Sequence, residues 1–127
     1  MAHTVLIVDD SKLARLVLAK AIATGRPEWQ QLEAANAAEA LEIVRSQAVD
    51  IVLLDFNMPG RDGLELAAEL RLLSPDMPIA VVSANIQEEV IARARQVNAA
   101  FLAKPLSDEA LAGFLSGAAL RLRKATR

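Results

Sequence analysis

"TVLIVDD", residues 4–10, drives a run of apolar side chains straight into two adjacent carboxylates. A short apolar run with no polar alternation reads as a strand covered on both faces, the environment of a parallel sheet. Neighbouring acids repel one another and are costly to desolvate. Asp9 and Asp10 therefore either lie in a solvated turn or share a cation, and the rest of the chain decides which.

Outward from this stretch, apolar runs alternate with helical patterns. "QLEAA" (31–35) is a weaker strand, and "IVLL" (51–54), "IAVV" (79–82) and "AFLA" (100–103) are further strands. The spacing predicts helices over 11–23, with Ser11 as N-cap and Gly25-Arg26-Pro27 as the stop, and over 37–47, with Ala40, Leu41 and Val44 on one face. After the turn signal Met58-Pro59-Gly60, Leu66, Leu70 and Leu73 mark a third helix that Ser74-Pro75 ends. Val90, Ala94 and Val97 face inward from a fourth. A fifth starts near Ser107 and carries Leu111, Phe114, Leu115, Ala118 and Leu122 at helical spacing. The order is (βα)5, joined by right-handed crossovers into a doubly wound α/β domain, a single domain over 1–127.

Composition agrees. A chain of 127 residues fits one domain. With 54% apolar residues and only 3% aromatics, it favours helices packed on a sheet over an aromatic-filled sandwich. The absence of cysteine rules out a disulfide framework and a thiolate metal site. No charge-free run approaches the roughly 18 residues of a membrane span. Nor does the N-terminus resemble a signal peptide, so a soluble cytoplasmic protein is expected. Net charge is −2, but Arg121, Arg123, Lys124 and Arg127 crowd the last seven residues, leaving 10 basic side chains against 16 acidic ones before them. So acidic a body argues against direct nucleic-acid binding, and the basic tail reads as a solvated helix end.

Four of the five runs end in a residue able to act on an ion: Val8 precedes Asp9-Asp10, Leu54 precedes Asp55, Val82 precedes Ser83 and Ala103 precedes Lys104. In a parallel sheet these positions share the carboxyl edge, where ligands bind at the reversal of strand order. For the order 2-1-3-4-5 that reversal falls between strands 1 and 3, which carry the three aspartates. They can coexist there around a hard cation. Oxygen ligands, few and without a closed cage, suit Mg²⁺. Lys104 supplies a second positive charge, and Ser83 can donate to a phosphoryl oxygen. Charge neutralisation and positioning around a lone carboxylate are the requirements of phosphoryl transfer, with Asp55 as nucleophile forming an acyl phosphate. Each residue alone has a plainer explanation: an inert acidic loop, a helix-capping aspartate, a Lys-Pro loop dipeptide. Their joint placement at successive strand ends does not.

The stretches "LIVDDS" (6–11), "DIVLLDFNMPGRDGLEL" (50–66), "VVSAN" (81–85) and "FLAKP" (101–105) resemble the receiver domain of two-component response regulators over essentially the whole chain. The resemblance implies a flavodoxin-like fold, with Asp55 as phosphoacceptor, Asp10 as direct Mg²⁺ ligand and Asp9 assisting through water. It also implies the backbone carbonyl of Asn57 as a further ligand, Lys104 pairing with the phosphoryl group, and a cis Lys104-Pro105 bond. Ser83 replaces the commoner threonine. Phe101 occupies the position of the aromatic that follows the hydroxyl inward on phosphorylation, although plain core packing is an equal reading. Asn57 and Asn85 sit where such domains tune dephosphorylation, and an amide at 57 implies a short phosphoryl lifetime.

The same resemblance implies partners. A histidine kinase or phosphotransfer protein would supply the phosphoryl group. A downstream protein would bind the face built from the fourth helix, the fifth strand and the last helix, to a monomer or to a phosphorylation-dependent dimer. Such a domain is a phosphoacceptor that assists its own chemistry, not an enzyme. Departures from the pattern are Asn36-Ala37 and Val97-Asn98, where glycines are usual; Asn36 and Asn98 are expected to take left-handed conformations instead. Arg93 and Arg95 could join a dimer face, while His3 and Trp29 suggest no role. Architecturally the chain reads as a single-domain regulator like those of chemotaxis. An alternative is the N-terminal receiver of a longer regulator, with "LRLRKATR" opening a linker helix. A haloacid-dehalogenase-like phosphatase would need an aspartate at 57, and a flavin-binding flavodoxin would not carry an acidic pair after strand 1.

Overall fold

A computed structural model describes residues 2–58, 60 and 62–125, with side chains through 123. The elements are β1 (Thr4–Val8), α1 (Lys12–Gly25), β2 (Gln30–Ala34), α2 (Ala37–Ser46), β3 (Ile51–Asp55), α3 (Gly63–Leu73), β4 (Ile79–Ser83), α4 (Glu88–Gln96), β5 (Ala100–Ala103) and α5 (Asp108–Ala125). All four strand pairings are parallel, in the order β2-β1-β3-β4-β5. No helix among the described residues is long and apolar enough to cross a membrane.

Strand periodicity splits the core in two. Successive side chains point to opposite faces of a strand. Leu6, Val8, Val52, Leu54, Ile79 and Val81 accordingly pack beneath α2, α3 and α4, whereas Val5, Ile7, Ile51, Leu53 and Ala80 pack beneath α1 and α5. Every residue of β3 and β4 is buried. Each fully buried Val, Leu or Ile contributes roughly 1.5–3 kcal/mol of transfer free energy. β2 lies at an edge and mixes exposed and buried positions, which is why its sequence signal is weak.

Helix starts follow capping chemistry. Ser11 Oγ accepts from Ala14 N at 3.1 Å, Asp62 Oδ1 from Glu65 N at 2.9 Å and Ser107 Oγ from Ala110 N at 3.0 Å. Asn36 departs from the expected left-handed conformation: its φ is −159° and it serves as N-cap of α2. Its amide oxygen accepts from Glu39 N at 2.8 Å while Glu39 accepts from Ala35 N at 2.9 Å, a reciprocal capping arrangement that requires extended backbone. Asn98 does take the left-handed region, with φ 56°. Leu73 also departs from expectation, since it is 44% exposed whereas Leu66 and Leu70 are fully buried. α3 ends at Leu73, with Ser74 as C-cap. Gly60, with φ +87°, makes the turn after β3; Pro59 of that turn and Arg127 of the basic tail lie outside the described residues.

Candidate functional site

Residue parity and strand register bring the carboxylates together. Val5 and Ile7, like Ile51 and Leu53, face the α1/α5 layer, so Asp9 and Asp55 continue the same face of adjacent strands. Val8 lies beside Leu54, and one further step sets Asp9 beside Asp55. Oxygens of Asp9, Asp10 and Asp55 lie within 4.8 Å of one another. Asp9 and Asp55 are buried and Asp10 is exposed. An all-oxygen donor set open on one side fits a hard divalent cation that keeps part of its water shell. Lys104 Nζ donates to Asp55 Oδ1 at 2.7 Å, from a side chain that remains 39% exposed.

Burial is the main reason the Asp9 carboxyl has its pKa raised from the ordinary value of 3.8. The hydrogen bond from Ser11 N to Asp9 Oδ1, at 2.9 Å, opposes the rise; the negative charge of Asp55 adds to it, Lys104 opposes it and Asp10 adds again. A carboxyl whose folded pKa lies above its unfolded value holds its proton more tightly in the native state. Its ionisation therefore costs stability at neutral pH, and the cost is relieved as pH falls through the raised value. Asp9→Asn, which keeps an oxygen for Ser11 N, is expected to melt higher than wild type at pH 7 in chelator by about 4 °C, equivalent to ~1 kcal/mol for a domain of this size. That difference should shrink as pH is lowered towards 4 in paired thermal melts. An equal difference at both pH values would show that Asp9 ionisation does not cause it.

Ser83 closes β4 with opposite parity. Asp55 pairs in register with Val82, so Ser83 points to the α4 side of the sheet, where its Oγ accepts from Asn85 N at 3.0 Å. Phe101 pairs with Val81 and sits half-buried against the same core as Val90, Ala94 and Val97. The hydroxyl and the aromatic thus share one face of the sheet. Asn85 Oδ1 accepts from Gln87 N at 3.1 Å, holding the loop before α4. Asn57 is exposed just beyond β3. Lys104 N donates to Ser83 O at 2.9 Å, which fixes the lysine beside β4, and the Lys104-Pro105 peptide is cis.

Two contributors, Arg15 and Gly63, escaped the sequence reading, and Arg93, read there only as a candidate for a dimer face, makes a contact that it did not foresee. Arg15, from α1, donates Nη1 to Asp9 O at 2.6 Å and Nε to Glu33 Oε1 at 2.9 Å. Gly63 N donates to Phe56 O at 2.7 Å, bringing the start of α3 directly against the backbone around Asp55. Arg93 Nη2 reaches Asp62 Oδ2 at 3.1 Å, so it is held by the cap of α3. An arginine one turn into a helix is the only trace Arg15 leaves in sequence. The contact at Gly63 is signalled by nothing beyond a glycine after a capping aspartate. Trp29 is buried under α1 and α5, with His3 edge-on at 5.1 Å and the Arg26 guanidinium 4.9 Å from its ring centroid.

A family model described as "Response regulator receiver domain" matches residues 5–115. The positive alginate biosynthesis regulatory protein of Pseudomonas aeruginosa is 44% identical over 118 residues, which are 90% of this chain and 46% of that protein. Sporulation initiation phosphotransferase F of Bacillus subtilis is 30% identical over 106 residues, 83% of this chain and 84% of that protein. Among solved structures, chemotaxis protein CheY4 of Vibrio cholerae superposes with a TM-score of 0.84 at 26% identity, covering 93% of this chain and 99% of that one. The chain therefore spans about half of the alginate regulator but most of the sporulation protein.

Proposed function

This chain belongs to the response regulator receiver domain family, and we propose that within it Asp55 accepts a phosphoryl group from the phosphohistidine of a histidine kinase or phosphotransfer protein. The observation that carries this reading is the buried Asp55 carboxylate paired with Lys104 at 2.7 Å beside two further aspartates. In the transfer, a bond forms between Asp55 oxygen and phosphorus as the donor's P–N bond breaks. Asp10 and Asp55, the Asn57 backbone carbonyl, and Asp9 through water would hold Mg²⁺. When bound, this ion neutralises charge on the phosphoryl oxygens. Lys104 balances Asp55 at rest and follows the negative charge onto the phosphoryl group. Ser83 Oγ then turns from Asn85 N to donate to a phosphoryl oxygen.

Output follows from that last movement. Ser83 and Phe101 share the sheet face beneath α4, so withdrawal of the hydroxyl frees the loop before α4 and lets the half-buried ring repack. The α4–β5–α5 face is the surface that changes, and a downstream protein would read it. A protein donor is supported by Leu13 and Val17 on α1, exposed at 71% and 62% beside the cleft that holds Asp55 and Lys104. The phosphatase reading is disfavoured because Asn57 has no carboxyl to serve as general acid. An effector domain joined to the receiver, as the span of the alginate regulator suggests, would leave the chemistry at Asp55 unchanged.

Intact mass after incubation with acetyl phosphate, with and without Mg²⁺, tests the proposal. One acid-labile phosphate gained only with Mg²⁺ is expected. No gain in either condition would overturn the acceptor assignment.

A further inference from the structure

We propose that Arg15 is a positioning residue for the cation site, setting the Asp9-Asp10 turn in its binding geometry before any ion arrives. This rests on the acceptor reading above. Arg15 lies one turn beyond the Ser11 cap, and long helical side chains lie back towards the helix N-terminus. Its guanidinium therefore reaches the end of β1, where Nη1 donates to Asp9 O at 2.6 Å. The guanidinium is itself tethered, since Nε donates to Glu33 Oε1 at 2.9 Å. Glu33 stands on β2 in register with Ile7, so the tether is anchored in the sheet and not in a loop. The Arg15 side chain is 14% exposed.

Asp9 is consequently held at three points. Its N–H donates to Ala34 O at 3.1 Å, its carbonyl accepts from Arg15, and its Oδ1 accepts from Ser11 N at 2.9 Å. The carbonyl that Arg15 grips belongs to the peptide leading into Asp10, so fixing that plane fixes the direction from which Asp10 leaves the sheet. A preset ligand pair loses less freedom when the cation binds.

Charge alone argues the other way. A guanidinium bonded to the backbone of the Asp9-Asp10 turn brings positive charge to the edge of the cation site and so opposes cation binding through Coulomb repulsion, which Glu33 offsets only in part. The two roles therefore predict opposite signs, and a single variant separates them. If Arg15 acts by positioning, Arg15→Gln weakens Mg²⁺ binding by about 10-fold, the scale found when a partner that orients a metal ligand is removed. If its charge dominates, the same change tightens binding.

The experiment is calorimetric titration of the whole chain with Mg²⁺ at pH 7 and low salt, for wild type, Arg15→Gln and Arg15→Lys, with a thermal melt of each in chelator. Arg15→Lys keeps the charge but cannot grip Asp9 O and Glu33 together, so it too is expected to weaken binding several-fold. Tighter binding in Arg15→Gln, or an unchanged Kd in Arg15→Lys, would overturn the proposal. So would a lowered Tm with both Kd values unchanged, which is the mark of a merely structural contact. Phosphate uptake by wild type in acetyl phosphate separates the two failures. Uptake with unaltered variant Kd values sinks Arg15 alone, whereas a wild type that neither binds Mg²⁺ nor gains phosphate sinks both readings.

Discussion

Asp55→Asn is expected to gain no acid-labile phosphate from acetyl phosphate and Mg²⁺, while keeping the far-UV spectrum of the wild type. The amide matches the carboxylate in shape but is a far poorer nucleophile, so the bond to phosphorus cannot form. The neighbouring aspartates do not replace it. Asp9 is tied by Ser11 N through the very carboxylate that would have to attack, and its raised pKa reflects how unfavourably its charge is housed. Asp10 is exposed at the rim, where water shields an incoming phosphoryl group from the pairing that Lys104 gives Asp55. Intact mass before and after acid treatment reads the result. A phosphate of the same lability in the variant would move the acceptor to Asp10 and undo the assigned geometry.

Much of this arrangement is written in residue order, for physical reasons that also mark the limits. β1, β3 and β4 are legible because burial on both faces leaves no room for polar residues, and their ends are legible because a charged residue cannot continue such a strand. β2, at the edge, tolerates Gln30, Gln31 and Glu33 and so announces itself weakly. The convergence of Asp9, Asp10 and Asp55 follows from strand order and parity alone. Contacts across elements are another matter. Whether Arg15 reaches Asp9, or Arg93 reaches Asp62, depends on the rotation of a helix and the reach of a long side chain, and neither quantity is encoded in local spacing. Asn36 shows the same limit: an asparagine before a helix serves equally as a left-handed turn or as a cap, and Glu39, three residues on, decides for the cap.

Gly63→Ala should lower Tm by roughly 8 °C, against the usual direction for a glycine replaced within a helix. Alanine is favoured over glycine at interior helical positions by about 1 kcal/mol, but Gly63 is the first residue of α3, directly after the Asp62 cap, where that preference is small. Here a Cβ on Gly63 would stand 2.7 Å from Leu54 Cδ1 and 2.9 Å from Phe56 Cα, and closer still to the Asp55 carbonyl oxygen. Two of these three neighbours are backbone atoms of the strand end that carries the acceptor, so they cannot yield by changing rotamer. Overpacking of this kind costs about 1–3 kcal/mol, and little helix propensity offsets it at the first residue of α3, so a net loss of about 2 kcal/mol is expected. The chain carries its own control. Gly113 and Gly117 lie in α5 with nothing within 4 Å of an added Cβ, so alanine there should raise Tm by a few degrees, the ordinary helix effect. Thermal melts of the three variants decide between propensity and contact. If Gly63→Ala matched the α5 variants, α3 would be free to shift away from β3. If it falls as expected, the start of α3 is pressed against the acceptor's own peptide, and displacing it should also slow phosphate uptake at Asp55.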